Sequence, residues 1–169
     1  MTVIGVVSDT HMPRFGTALP RALERGLREA NVERILHLGD MTDLVAVPLF
    51  EAIAPFDAVA GNNDGPAIRE RFGRRKIVRV ENVRIGMVHG DGKQKTTLQR
   101  ALDAFDPTEV DVILFGHSHR PHVARENGLL IANPGSPTDK RLNPRYSYAI
   151  LTVHGAQADV QLRYYLSRG

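Results

Sequence analysis

Apolar residues fall along this chain in short blocks that stop abruptly at polar side chains. "TVIGVVS", 2–8, is a β-branched run too short for a helix and reads as a buried strand. "LPRALERGLREA", 19–30, spaces Leu19, Leu23 and Leu27 four apart, which gives a helix one apolar face. "RILHL", 34–38, is a second strand, "LVAVPLFEAI", 44–53, a second helix with Pro48 tolerable near its start, and "FDAVA", 56–60, a third strand. This β-α-β-α-β order predicts a parallel sheet with right-handed crossovers.

Beyond it the pattern changes. A short helical piece near 66–72 precedes "KIVRVE" and "VRIGMVH", two runs on either side of an "EN" turn that read as a hairpin. "KTTLQRALDAF" is helical and "VDVILFG" is a further buried strand. "HVARE", "LLIAN", "YSYAILTVH" and "AQADVQLRYYL" then read as strands joined by "ENG" and "HGAQ" turns, so antiparallel pairing dominates the second half. Two packed sheets with helices outside accommodate the whole pattern, and 169 residues without a linker or repeat fit one domain over 1–169.

The strands share an ending. "VIGVVS" runs into Asp9-Thr10-His11, "RILHL" into Gly39-Asp40, "DAVA" into Gly61-Asn62-Asn63-Asp64, "IGMV" into His89-Gly90-Asp91, and "VILF" into Gly116-His117-Ser118-His119. Ligands of open α/β sheets bind at the carboxyl ends of strands, where glycines let backbone turn sharply. Five loops distant in sequence can therefore bring Asp9, His11, Asp40, Asn62, His89, His117 and His119 into one small volume. Read alone, each piece is more often a turn or a structural histidine than a metal ligand. Together, each at a strand end, they suit two ions sharing a carboxylate roughly 3.5–4 Å apart. The remaining histidines read blandly: His37 as packed within its strand, His122 as structural, His154 as an exposed turn residue. Gly61 and Gly65 are expected to let the two asparagines reach the site.

Composition narrows the chemistry. The absence of cysteine excludes disulfides, thiolate nucleophiles and thiolate metal sites. Hydrophobic content of 42% and charged content of 24% are those of a globular protein, and no apolar run approaches a bilayer span. With no signal-peptide pattern at the start, a cytoplasmic location is expected. A formal net charge of +3 leaves nucleic-acid binding open, but the basic residues are spread among acids, and even "RERFGRRK", 69–76, reads as a solvated surface.

The blocks "DTH", "GD", "GNND", "HGD" and "GHSH", with "NPGS" at 133–136, resemble the calcineurin-like metallophosphoesterase superfamily, and their spacing is similar to that of its small phosphodiesterases of bacteria and archaea. The resemblance implies an α/β (α+β) fold, a four-layer α-β-β-α sandwich of two mixed β-sheets. It assigns Asp9, His11 and His119 to one divalent transition metal and Asn62, His89 and His117 to another, with Asp40 bridging. Manganese is the foremost candidate among iron, nickel, cobalt and zinc. The implied chemistry is phosphodiester hydrolysis by attack of a metal-bridging hydroxide, on a small phosphodiester or nucleotide-like substrate, with no membrane partner; a homo-oligomer stays open. A phosphomonoesterase or nucleotidase, and a non-catalytic protein-binding scaffold such as the retromer subunit that shares the fold, are the alternatives.

Two departures from the family pattern matter. Many members carry histidine where Asn63 stands, and asparagine cannot deliver a proton at neutral pH. Asn63 is therefore expected to contact the phosphoryl group without acting as general acid, with Asp40 and Asp64 beside it in the catalytic set. Asp91 stands where many small relatives have histidine; it reads first as a turn residue, with an outer-water or acid-base role as the other option. Asp91, Lys93 and Arg141, with Asn63, are the candidate substrate contacts.

Overall fold

A computed structural model describes residues 1–169. Ten strands and four helices follow in the order β1 (Thr2–Val7), α1 (Arg21–Glu29), β2 (Arg34–His37), α2 (Ala46–Glu51), β3 (Phe56–Ala58), α3 (Pro66–Phe72), β4 (Arg75–Val80), β5 (Val83–Val88), α4 (Thr97–Asp103), β6 (Val112–Leu114), β7 (His122–Glu126), β8 (Leu129–Asn133), β9 (Tyr146–His154) and β10 (Gln157–Tyr165). Each block read from the sequence forms the expected element, and Pro48 falls within the first turn of α2, where its missing N–H costs nothing.

The strands form two five-stranded sheets, ordered β10-β9-β1-β2-β3 and β4-β5-β6-β8-β7. Each has a parallel centre, β1-β2-β3 in the first and β5-β6-β8 in the second. Antiparallel partners complete them: β9 and β10 beside β1, β4 beside β5, and β7 beside β8. Both sheets are mixed, as expected.

Strand alternation sorts the side chains into three cores, hence four layers. Ile4 and Val6 of β1 pack with Ile85, Met87, Val112, Leu114 and Leu151 between the sheets. The alternate residue Val7 meets Leu23, Leu27, Phe50, Ile68 and Phe72 from α1, α2 and α3. On the far side, Ile113 and Ile131 meet Ala101 and Phe105 around α4. With both faces covered, the central strands read as unbroken apolar runs. Their carboxyl ends all open along one edge of the sandwich. No helix is long and apolar enough to cross a membrane.

The layering predicts where truncation hurts. Leu151→Ala, at a fully buried position between the sheets, is expected to lower the unfolding free energy by about 2–5 kcal/mol in urea titration. Val123→Ala, on the edge strand β7 and 38% exposed, is expected to stay within about 0.5 kcal/mol. Equal losses at the two sites would contradict the three-core arrangement.

Candidate metal centre

The strand-end loops hold the candidate side chains in backbone conformations that most residues avoid. Asp9, His11, Asp40, His117 and His119 all have positive φ, between 43° and 70°. Left-handed backbone is costly for residues other than glycine and persists only where the surroundings impose it. Here the β1–β2 ladder continues past the strands: Asp9 N–H donates to the Gly39 carbonyl and His11 N–H to the Asp40 carbonyl, each at 2.9 Å. Two glycines make the approach of these loops feasible. A Cβ on Gly61 would lie 2.2 Å from Asp40 Oδ1, and one on Gly116 would lie 2.0 Å from Ser8 Oγ. Gly65 differs from the expectation: its φ is −78° and a Cβ there would meet open space.

Asp9 lies at the middle of the site, fully buried. Its Oδ2 accepts the Ser8 hydroxyl at 2.6 Å and the His117 N–H at 3.0 Å. Its Oδ1 has no hydrogen-bond partner and faces three imidazole Nε2 atoms, those of His119 at 3.5 Å, His89 at 3.6 Å and His11 at 3.9 Å. Asp40 Oδ2 reaches two of the same rings, His89 at 3.3 Å and His11 at 3.6 Å. None of the three Nε2 atoms has a hydrogen-bond partner either.

Four buried, unpartnered polar atoms on one point would be costly in a finished protein interior. The spacing gives the reason. Two donors bound about 2.1 Å from one tetrahedral ion sit about 3.4 Å apart, and the imidazole–carboxylate pairs here span 3.3–3.9 Å. The residues fit divalent cations in two overlapping groups, Asp9 with His11 and His119, and Asp9 with Asp40 and His89. Asp9 belongs to both groups, while Asp40 belongs to the second alone.

The far nitrogens of two rings are already committed. His89 Nδ1–H donates to the Leu38 carbonyl at 2.7 Å and His119 Nδ1–H to the Asp139 carbonyl at 2.5 Å. A carbonyl only accepts, so each bond places a proton on Nδ1 and points Nε2 at the carboxylates, the outer-shell arrangement that orients imidazole ligands. His117 and Asn62 stand nearer the surface and pair with each other, Nδ1 to Oδ1 at 3.2 Å, with the His117 ring edge-on to His89. They border the buried cluster and are not part of its tight donor set.

Asn63 and Asp64 both engage the loop that carries Asp40. Asn63 grips Asp40, its backbone N–H donating to Oδ1 and its Nδ2 to Oδ2, both at 2.9 Å. Its amide is thus engaged with a carboxylate. Asp64 is buried and accepts three backbone N–H groups, from Gly61 at 2.6 Å and from Asp40 and Thr42 at 2.8 Å. It thereby braces the loops that carry Asp40 and Asn63. Asp91 pairs with Arg74 at 2.8 Å, and Lys93 is exposed. Arg141 stays close enough for its charge to depress the titration of His11 and His119.

Other braces went unread. Ser136 Oγ donates to the Asp9 carbonyl and Thr138 Oγ1 to the Thr10 carbonyl, while Asn133 Nδ2 donates to the Gly116 carbonyl. The "NPGS" block was the only sequence signal for Asn133 and Ser136, and Thr138 lies two residues beyond it. His37 is packed as expected, yet its Nδ1 accepts the Gly39 N–H and its Nε2 meets Thr10 Oγ1 at 3.0 Å, tying two of the loops together. His122 and His154 are exposed.

Electrostatics follow the geometry. Burial pushes Asp9 up to about 6 and His119 down to about 4. Burial likewise opposes charge on His89 and Asp40, but their mutual contact outweighs it: His89 is held up to about 9 and Asp40 well below the usual carboxylate range. Without a cation, a proton on His89 offsets part of the carboxylate charge.

The chain's likeness to known proteins agrees with this geometry. The family described as "Calcineurin-like phosphoesterase superfamily domain" matches residues 1–156. A probable metallophosphoesterase of Methanothermobacter thermautotrophicus is 32% identical, covering 95% of this chain and 91% of its own. A phosphodiesterase of Methanocaldococcus jannaschii is 27% identical over 78% of this chain and 82% of its own. Among solved structures, Vps29 of Chaetomium thermophilum superposes with a TM-score of 0.79 at 20% identity, over 98% of this chain and 97% of that one, a likeness of fold.

Two outcomes are expected. The proton on His89 stabilises the cation-free fold fully below pH 6.5, and that contribution is lost as pH rises through about 9. A divalent cation replaces that proton, so the rise in melting temperature on adding manganese to chelator-stripped protein should grow between pH 6.5 and 9. A rise independent of pH over that window would contradict the exchange. Separately, Asp64→Ala leaves three backbone donors unpaired and should cost at least about 1–3 kcal/mol in urea unfolding, a loss that a merely exposed loop residue would not show.

Proposed function

The chain belongs to the calcineurin-like phosphoesterase superfamily, and from that premise we propose that it is a metal-dependent phosphodiesterase with a binuclear centre. The observation that carries the proposal is the convergence of Asp9 Oδ1 with the Nε2 atoms of His11, His89 and His119, all buried and all unpartnered. Relatives described as metallophosphoesterase and phosphodiesterase favour the catalytic reading over the protein-binding alternative that the Vps29 likeness suggests. In this reading Asp9, His11 and His119 hold one cation, and His89 with Asn62 and His117 holds the other. Asp40 lies between them, and Asp9 assists. A single domain and a cytoplasmic location complete the proposal.

Two cations held there supply Lewis acidity and acidify the water that attacks phosphorus, with manganese as the first metal to try. The chain's own residues set the rest. Asp9 is fixed by Ser8 and the His117 N–H, and Asp40 by both donors of Asn63, so neither carboxylate must reorganise when substrate arrives. Arg141 adds positive charge where a phosphodiester anion approaches. Hydrolysis joins a water oxygen to phosphorus, breaks the bond to the departing oxygen and releases the water's proton to solvent.

Nothing at position 63 can protonate that departing oxygen. Asn63 has no titratable proton, and its amide is spent on Asp40. Diesters with acidic leaving groups are the substrates this suits, and a phosphomonoesterase acting on alkyl phosphates is disfavoured.

A series of aryl methyl phosphodiesters tests this on the manganese-loaded protein. The rate should fall steeply as the leaving-group pKa rises, and Asn63→His should flatten that dependence. A shallow dependence already present in the wild-type protein would overturn the role given to position 63. Asp40→Asn should lower kcat/KM by roughly a hundredfold or more. Failure of the wild-type protein to hydrolyse any ester with any metal would overturn the catalytic reading itself.

A further inference from the structure

β10 is the outer strand of the first sheet, and its far side has no partner strand. A long open edge invites another strand, and proteins blunt such edges by shortness, charge or a bulge. The other three edge strands are blunted. β3 offers three residues and β7 five. β4 carries Arg75, Lys76 and Arg79 and no acid, so a like strand beside it would set cation against cation. β10 runs for nine residues in unbroken register with β9, without proline.

The edge is open in a definite way. A two-residue turn, Gly155-Ala156, joins β9 to β10, so His154 and Gln157 flank it as a hydrogen-bonded pair and the bonding alternates from there. Odd-numbered residues of β10 turn their backbone groups toward β9, and the even-numbered ones, Ala158 to Tyr164, turn theirs outward. Two contacts agree. The Ala158 carbonyl accepts the Arg125 guanidinium at 2.6 Å, and the Val160 N–H donates to the Asp159 carboxylate at 3.2 Å. Side chains stand there in place of a strand. Ala158, Val160 and Leu162 pack half-buried against the inter-sheet core, while Asp159, Gln161 and Arg163 are exposed on the other face.

We propose that β10 pairs with β10 of a second copy of this chain, antiparallel about a two-fold axis at Gln161, so that the two sheets become one. In this register outward residues meet outward residues, Ala158 opposite Tyr164 of the second copy and Val160 opposite Leu162 of the second copy. Val160 and Leu162 extend the inter-sheet core across the axis. On the exposed face Gln161 meets its own counterpart and Asp159 meets Arg163, with Cβ atoms roughly 4.5–5.5 Å apart, where opposite charges attract. A slip of two residues parts these charges, and a slip of four opposes like with like. Within its own chain Arg163 has no acid and donates only to Gln161 Oε1, at 3.2 Å. The Arg125–Asp159 contact, 3.5 Å between side chains 59% and 87% exposed, is a weak competitor. A carbonyl has two lone pairs, so Ala158 keeps one for the second copy. Both β10 and β1 are antiparallel to β9 and thus parallel to each other. The pairing therefore turns the two candidate metal centres toward opposite ends and leaves both open. The proposal is independent of the catalytic reading.

Sedimentation equilibrium of the manganese-loaded protein should give twice the 18.7 kDa mass of one chain. Asp159→Arg sets like charges opposite each other and should weaken association about tenfold or more, as should Arg163→Asp. Combining the two substitutions restores opposite charges and should recover the wild-type association. Both side chains are exposed, so the melting temperature measured on the monomer should not move. The chain has no cysteine, so one introduced thiol reports the register. Gln161→Cys should give a disulfide-linked dimer on mild oxidation, because a non-hydrogen-bonded pair sets its Cα atoms about 4.5 Å apart. Gln157→Cys should not, its two copies lying roughly 27 Å apart along the strands. A wild-type monomer at millimolar concentration would overturn the proposal. So would a dimer that either single charge reversal leaves intact, or that Gln161→Cys fails to cross-link.

Discussion

The arrangement of this molecule turns on a polar debt at the carboxyl ends of its strands. Asp9 Oδ1 and three imidazole Nε2 atoms are buried together without a hydrogen bond among them. Protein interiors rarely leave such atoms unmatched, and these are held in place by a great deal of other structure. Left-handed backbone at five of the candidate residues, glycines where a Cβ would collide, and braces from Ser8, Asn63, Asp64, Ser136 and Thr138 all act to keep the donors facing one another. In the proposed reading, bound cations would relieve the cost that this preorganisation creates. In their absence the His89–Asp40 contact offers a partial substitute, a proton where a metal would sit.

The two sheets explain why the donors can come from loops so far apart in sequence. Packing β1 and β2 face to face with β5 and β6 across a dry core brings four carboxyl ends to one edge. His89 donates to the Leu38 carbonyl and His117 N–H to Asp9, so the site stitches one sheet to the other. Fold and site are mutually dependent: the inter-sheet core sets the donor positions, and the cross-sheet hydrogen bonds close the sandwich at that edge.

Much of this was legible in the sequence because it has a period or a boundary. Strands showed as short apolar runs, α1 as leucines four apart, and the donors as polar residues at strand ends. What stayed hidden has neither. Asp64 stands beside Asn63 in the sequence, and the backbone groups it accepts, among them those of Asp40 and Thr42, 22 and more residues away, carry no signal in spacing. Asn63 showed that it could not donate a proton, but not that its amide would be spent on Asp40. The role of Asp9 in both donor groups, and the opposed commitments of its two oxygens, depend on sub-ångström placement that spacing does not encode. Gly65 illustrates the converse error, a glycine in a turn that the backbone does not require.

The central claim is that the buried donors exist to hold two cations. The most direct measurement is anomalous diffraction at the manganese edge from crystals of the metal-loaded protein. The account predicts two peaks roughly 3.5–4 Å apart, one beside Asp9, His11 and His119 and the other beside Asp40 and His89. No anomalous density among these residues at saturating metal would contradict it.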